Sequence, residues 1–82
     1  MSTVPMVSIS KDMINANILE ILVQTEIVPS KAEGRRLIQQ GGLTINEEKI
    51  SDVNALFNEN FLVDGSALVK RGKKKFYKLI VQ

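Results

Sequence analysis

Apolar residues recur at helical spacing in the first third of the chain and at alternating positions in the last. From Lys11 to Ile27, the residues Ile14, Ile18, Ile21, Leu22 and Thr25 fall three or four positions apart, with Leu19 and Val23 widening the stripe. The pattern predicts a helix over 11–27, capped by Asp12 and buried on more than one side. A second, shorter helix is marked at both ends. Pro29 holds Val28 out of helical geometry, and Ser30-Lys31-Ala32-Glu33 has the form of a capping box. In that motif the Ser30 hydroxyl accepts from the Glu33 amide, and the Glu33 carboxylate reaches back to the Ser30 amide. Gly41-Gly42 supplies a left-handed stop. At about 100° per residue, Gly34, Leu37 and Ile38 face the core. Arg35, Arg36 and Gln39 face away from it, with Lys31 at the margin. A glycine inside a helix costs about 1 kcal/mol relative to alanine, which close packing of Gly34 against the first helix would explain.

Strand periodicity takes over after the glycines. Leu43 and Ile45 alternate with Thr44 and Asn46, and the chain then reverses through Glu47-Glu48 and returns at Lys49-Ile50. With no glycine in the reversal, a type I turn or a longer loop is expected. Ser51 to Ser66 has no period that decides helix from strand, although Leu56, Phe57, Phe61, Leu62 and Val63 are expected in the core. Asp64-Gly65 reads as a turn. A second hairpin closes the chain: Ala67 to Arg71, a reversal at Gly72-Lys73, and Lys75 to Val81. In its last strand Phe76, Lys78 and Ile80 share one face, and Tyr77, Leu79 and Val81 the other. Met1 to Ser10 has a proline, small polar residues and no helical stripe. It reads as a linker or the start of an expressed fragment, leaving one domain over 11–82. The expected fold is α+β, two packed helices against a small antiparallel sheet.

Composition narrows the function by exclusion. Eighty-two residues make one small domain, near the lower limit for a self-sufficient core. The chain has neither cysteine nor histidine, which removes disulfides, zinc fingers, thiol nucleophiles and imidazole bases. No apolar run approaches the roughly 20 residues of a membrane span, and the start lacks a signal-peptide pattern. A cytoplasmic protein that does not engage a membrane is expected. The acids are scattered, and Glu47-Glu48 reads as a solvated turn rather than a hard-metal site. No catalytic residue, metal or cofactor is expected.

Charge distribution changes the picture more than the net charge of +2. Residues 1–29 carry one cation against three acids, and residues 30–82 ten against six. From Ala67 onward there are Lys70, Arg71, Lys73, Lys74, Lys75 and Lys78 with no acid. Any amphipathic helix has a polar face, and a basic hairpin tip can simply discourage edge-to-edge association. Lys31, Arg35 and Arg36, however, lie in the first two turns of their helix, where cations oppose the macrodipole. Phosphate bound there would attract both the cations and the free amides. The two basic groups are therefore expected to lie side by side as one concave track for a nucleic-acid backbone. Phe76 or Tyr77 could stack on a base, with at least one of them in the core.

The order Ser30-Lys31, Arg35-Arg36-Leu37-Ile38-Gln39-Gln40-Gly41-Gly42-Leu43-Thr44-Ile45-Asn46, Lys49-Ile50 resembles the αL RNA-binding domain named after the fourth protein of the small ribosomal subunit. The likeness covers about residues 11–82. That domain occurs in ribosomal proteins, pseudouridine synthases, a heat-shock ribosome-binding protein and bacterial tyrosyl-tRNA synthetases. Arg71-Gly72-Lys73-Lys74-Lys75-Phe76-Tyr77, followed closely by the end of the chain, resembles the synthetase's C-terminal ending. Glu47 departs from the family, which usually has glycine there. The resemblance implies a domain that holds tyrosine-specific tRNA near its variable arm and anticodon stem. It further implies an ATP-using, homodimeric parent ligase with its catalytic domain elsewhere, and a monomeric isolated domain. The implied RNA face is Lys31, Arg35, Arg36, Gln39, Asn46, Lys49, Arg71, Lys73, Lys74 and Lys75. The alternative partner is ribosomal RNA, bound by an αL-domain protein or by the N-terminal module of a pseudouridine synthase.

Overall fold

Helix formation starts later than the apolar stripe suggests. In a computed structural model of the chain, which describes residues 4–82, Lys11–Met13 is a single 3-10 turn capped by Ser10 rather than by Asp12. The α-helix α1 runs only over Ile18–Gln24. Asn15 takes a left-handed φ of 74°, and the Asn17 side chain accepts from the Leu19 amide at 2.8 Å as the true N-cap. The backbone ahead of α1 pairs instead with residues 55–57. Asn15 donates to the Phe57 carbonyl, Phe57 to Ala16, and Ile18 to Ala55. Asparagine is a weak helix former, and these long-range bonds settle the competition.

The second helix, α2, covers Lys31–Gln39 as expected. The Ser30 hydroxyl accepts from the Glu33 amide at 3.3 Å, but Glu33 turns to Arg36 (3.4 Å) instead of completing the capping box. At the exit, Gly41 donates to the Ile38 carbonyl and Gly42 to the Leu37 carbonyl, with Gly41 at φ +73°. This pair of bonds is a Schellman motif. Gly34 is the contact point between the helices: a Cβ there would lie 2.9 Å from Leu19 Cδ2 and 3.3 Å from Val28 Cγ2.

Five strands form one sheet: β1 (Met6–Ile9), β2 (Leu43–Ile45), β3 (Glu48–Lys49), β4 (Ser66–Arg71) and β5 (Lys75–Val81), in the order β1-β5-β4-β2-β3. The sheet is mixed rather than wholly antiparallel, because β1 runs parallel to β5 from Met6 opposite Lys78 to Ile9 opposite Val81. Part of the stretch read as a linker is therefore an edge strand; residues 1–3 lie outside the described residues. Ile9, Leu43, Ile45, Ala67, Val69 and Leu79 bury one face of the sheet with Ile18, Ile21, Leu22 and Ile38 of the helices. Tyr77 packs against this core, and Phe76 does not.

Two further expectations change. The β2–β3 reversal is a two-residue turn with left-handed Asn46 (φ 53°) and Glu47 (φ 71°), whose twist suits a hairpin better than a type I turn would. In the irregular 51–65 stretch Phe57 is buried and stacks on Phe61 at 5.5 Å. Leu56 and Val63 were expected in the core but are 51% and 61% exposed. Leu56 sits in a lone bridge to Asn17, and Val63 beside the Asp64-Gly65 turn. Among the described residues, no helix is long and apolar enough to cross a membrane.

Candidate nucleic-acid interface

Helix α2 stands as a ridge between two clefts. Lys31 and Arg35 line the first, with Asn17, Leu19, Glu20, Val53 and Asn54. Arg36 lines the second, with Val28, Glu33, Leu37, Gln40 and Arg71. Arg35 and Arg36, adjacent in sequence, therefore open to opposite flanks. Gln39 is exposed on the same helix. The single concave track expected from the sequence becomes a ridge with a basic group on either side.

The second flank is where distant segments converge. Arg71, the last residue of β4, reaches back to donate to the Ile27 carbonyl at 3.0 Å. The next amide, that of Gly72, donates to the Gly42 carbonyl at 2.7 Å and ties the hairpin to the exit of α2. From β3, the Lys49 side chain lies over Gly41, where an added Cβ would come within 2.6 Å of Lys49 Cε. Lys49 thus lies near the C-terminal end of α2, where the macrodipole favours cations, and Arg71 lines the cleft along the side of the helix. Lys73 and Lys74 occupy the turn beyond, and Lys75 opens β5 opposite Arg71; all three lysines are exposed. Helix and hairpin are neighbours on this side.

The cations differ in what else they do. Lys31 pairs with Glu20, and Arg36 with Glu33, in exposed ion pairs that are weak and easily exchanged for phosphate. These acids relieve part of the macrodipole conflict inferred from the sequence. Arg35, Lys49, Lys73, Lys74 and Lys75 have no ion-pair partner among the described residues. Asn46 is occupied: its Nδ2 donates to the Phe61 carbonyl at 2.6 Å, and its Oδ1 accepts from the Leu68 amide at 2.8 Å. It holds the β2–β3 turn against β4 and the Phe61 carbonyl rather than presenting a free amide. The clip from Arg71 to Ile27 escaped sequence reasoning, since nothing local to either residue announces it.

Comparison with known proteins bears on what this surface serves. Residues 1–80 match the family described as Tyrosine--tRNA ligase SYY-like C-terminal domain. The chain belongs to that family. Membership in the tyrosine–tRNA ligase C-terminal domain family extends over residues 4–10, in keeping with the pairing of β1 in the sheet. Among relatives, Tyrosine--tRNA ligase 1 of Clostridium acetobutylicum is 55% identical over 99% of this chain. The Tyrosine--tRNA ligases of Clostridium tetani and Clostridium botulinum (strain Alaska E43) are 51% and 55% identical over all of it. The chain spans 20% of the length of each of these relatives.

Proposed function

We propose that this domain binds tRNA, as the RNA-holding part of a tyrosine–tRNA ligase whose ATP-dependent chemistry resides in other residues of that enzyme. The observation that carries the reading is the convergence of Arg36, Lys49, Arg71 and the Lys73–Lys75 turn beside α2. These cations come from three separate stretches of chain, and among the described residues only Arg36 of the group is ion-paired, with Glu33. Their role is affinity and positioning: each side chain that replaces counterions on a phosphate contributes, and the ridge of α2 meets the RNA by shape. Its family membership supports tRNA as the RNA, and these relatives do not favour the ribosomal-RNA alternative. The reading places the protein in the cytoplasm, with the translation machinery.

The test is a titration of the chain with a tyrosine-tRNA transcript across a range of salt. With these six cations on phosphates, log K is expected to fall against log salt with a slope of about −5. Binding that ignores salt, or no binding at low salt, overturns the proposal.

A further inference from the structure

The helices cover one face of the sheet, and the opposite face carries an aromatic ring among cations. Strand alternation sends Tyr77, Leu79 and Val81 inward and leaves Phe76, Lys78 and Ile80 on the outer side. Phe76 lies opposite Lys70 on β4, and the Lys70 ammonium sits 5.6 Å from its ring centroid. One register step pair further along, Lys78 lies between Leu68 and Met6, and Met6 is 69% exposed. This ring adjoins the Gly72–Lys74 turn. The basic surface therefore passes round the hairpin tip from the α2 flank to the outer face of the sheet.

We infer that Phe76 is a stacking platform for an unpaired nucleotide of the bound RNA, with Lys70 and Lys78 holding its phosphates. The inference rests on the RNA-binding reading and adds the kind of nucleotide the domain takes. Three observations favour a nucleotide over a protein segment. Phe76 is partly exposed, whereas Tyr77, the next aromatic, is spent on the core. The charged side chains of the two hairpin strands are all cations, which suits a polyanion. The ring is continuous with the lysine turn already assigned to phosphate, so one strand of RNA can cross both. In the free domain the Lys70 ammonium caps the ring; a nucleotide supplies a base for the ring and a phosphate for the ammonium, so the cation changes partner without becoming isolated. Single strands are bound in this way because every base offers a π-face, whereas a paired base in a duplex is already stacked.

The experiment compares wild type with Phe76→Leu and Phe76→Tyr on three probes: a single-stranded RNA of about ten nucleotides, a blunt duplex of the same length, and the tyrosine-tRNA transcript. Leucine keeps an apolar strand residue, and tyrosine keeps the ring. Phe76→Leu is expected to weaken single-strand and tRNA binding by about tenfold, to leave duplex binding and the salt slope unchanged, and to be rescued by Phe76→Tyr. In NMR spectra the Phe76 ring protons should move upfield with the single strand and stay in place with the duplex. Equal affinity of Phe76→Leu and wild type for the single strand, or ring protons that no RNA moves, overturns the inference and leaves the outer face to a protein partner. If Arg36→Ala and Lys73→Ala also leave every RNA affinity unchanged, it is the RNA-binding reading itself that has failed.

Discussion

The Arg71 guanidinium donates to the carbonyl of Ile27, 44 positions earlier in the chain, and so joins the end of β4 to the turn between the two helices. The same guanidinium lines the cleft beside Arg36, and there it also holds two basic elements in register. A single Nη1–H makes the bond, at the tip of a side chain that reaches further than lysine.

Replacing Arg71 by alanine should therefore cost stability and RNA affinity together. A half-buried, charge-assisted bond of this kind is worth about 2 kcal/mol, and urea denaturation would read that loss. Arg71→Lys restores the charge without the reach. It should bring back the salt slope of RNA binding while leaving stability low. Full recovery of stability by lysine would show that the clip does not hold the hairpin.

Asn46 and Glu47 separate positioning from contact. Both occupy left-handed backbone, where glycine is at ease and glutamate costs about 1 kcal/mol. Glu47→Gly should stabilise the domain by about that amount. Asn46→Ala removes two partly buried hydrogen bonds and should destabilise by about 2 kcal/mol. Because its amide is spent inside the fold, the fully folded variant should bind RNA with unchanged affinity. Weakened RNA binding by fully folded Asn46→Ala would return that residue to the RNA surface.

Gly34 illustrates a conflict between propensity and packing. Alanine would favour the helix by about 1 kcal/mol, but its Cβ would press on Leu19 and on the stiff, buried Val28. Overpacking of this kind costs about 1–3 kcal/mol. Gly34→Ala should lower stability by about 1 kcal/mol net, seen as a reduced urea midpoint with unchanged m-value. A raised midpoint would mean that the helices separate more easily than their contact suggests.

On the proposed reading, Glu20 competes with RNA for Lys31. Their ion pair is half exposed on both sides (54% and 51%), so Glu20→Gln should change stability by less than about 1 kcal/mol. If the RNA straddles the α2 ridge, the freed lysine should raise affinity by about threefold, the scale on which a surface pair of this strength competes. Unchanged affinity would confine the RNA to the Arg36 side.

The contrast between α2 and α1 shows what the sequence makes legible. Ser30 and Gly41-Gly42 act within a few residues of themselves, so the second helix can be read with its ends. The start of α1 depends on hydrogen bonds from Asn15 and Ile18 to residues 55–57, and no local pattern carries that information. Strand β1 is hidden for another reason: four residues of alternation beside Pro5 give too short a period, and its partner is at the far end of the chain. The same division runs through the candidate site. The run of cations is plain in the sequence. That Arg36 meets Arg71 while Arg35 turns to the other flank, and that Asn46 is spent within the fold, follow only from how the strands bring the pieces together.

Chemical shifts followed while the tyrosine-tRNA transcript is added test the central claim most directly. Arg36, Lys49 and Lys73 to Lys75 are expected to move together, with one midpoint, and to return together as salt is raised. Shifts confined to the Lys31 and Arg35 cleft, with Arg36 and the hairpin silent, would contradict a shared RNA surface built by α2 and the β4–β5 turn.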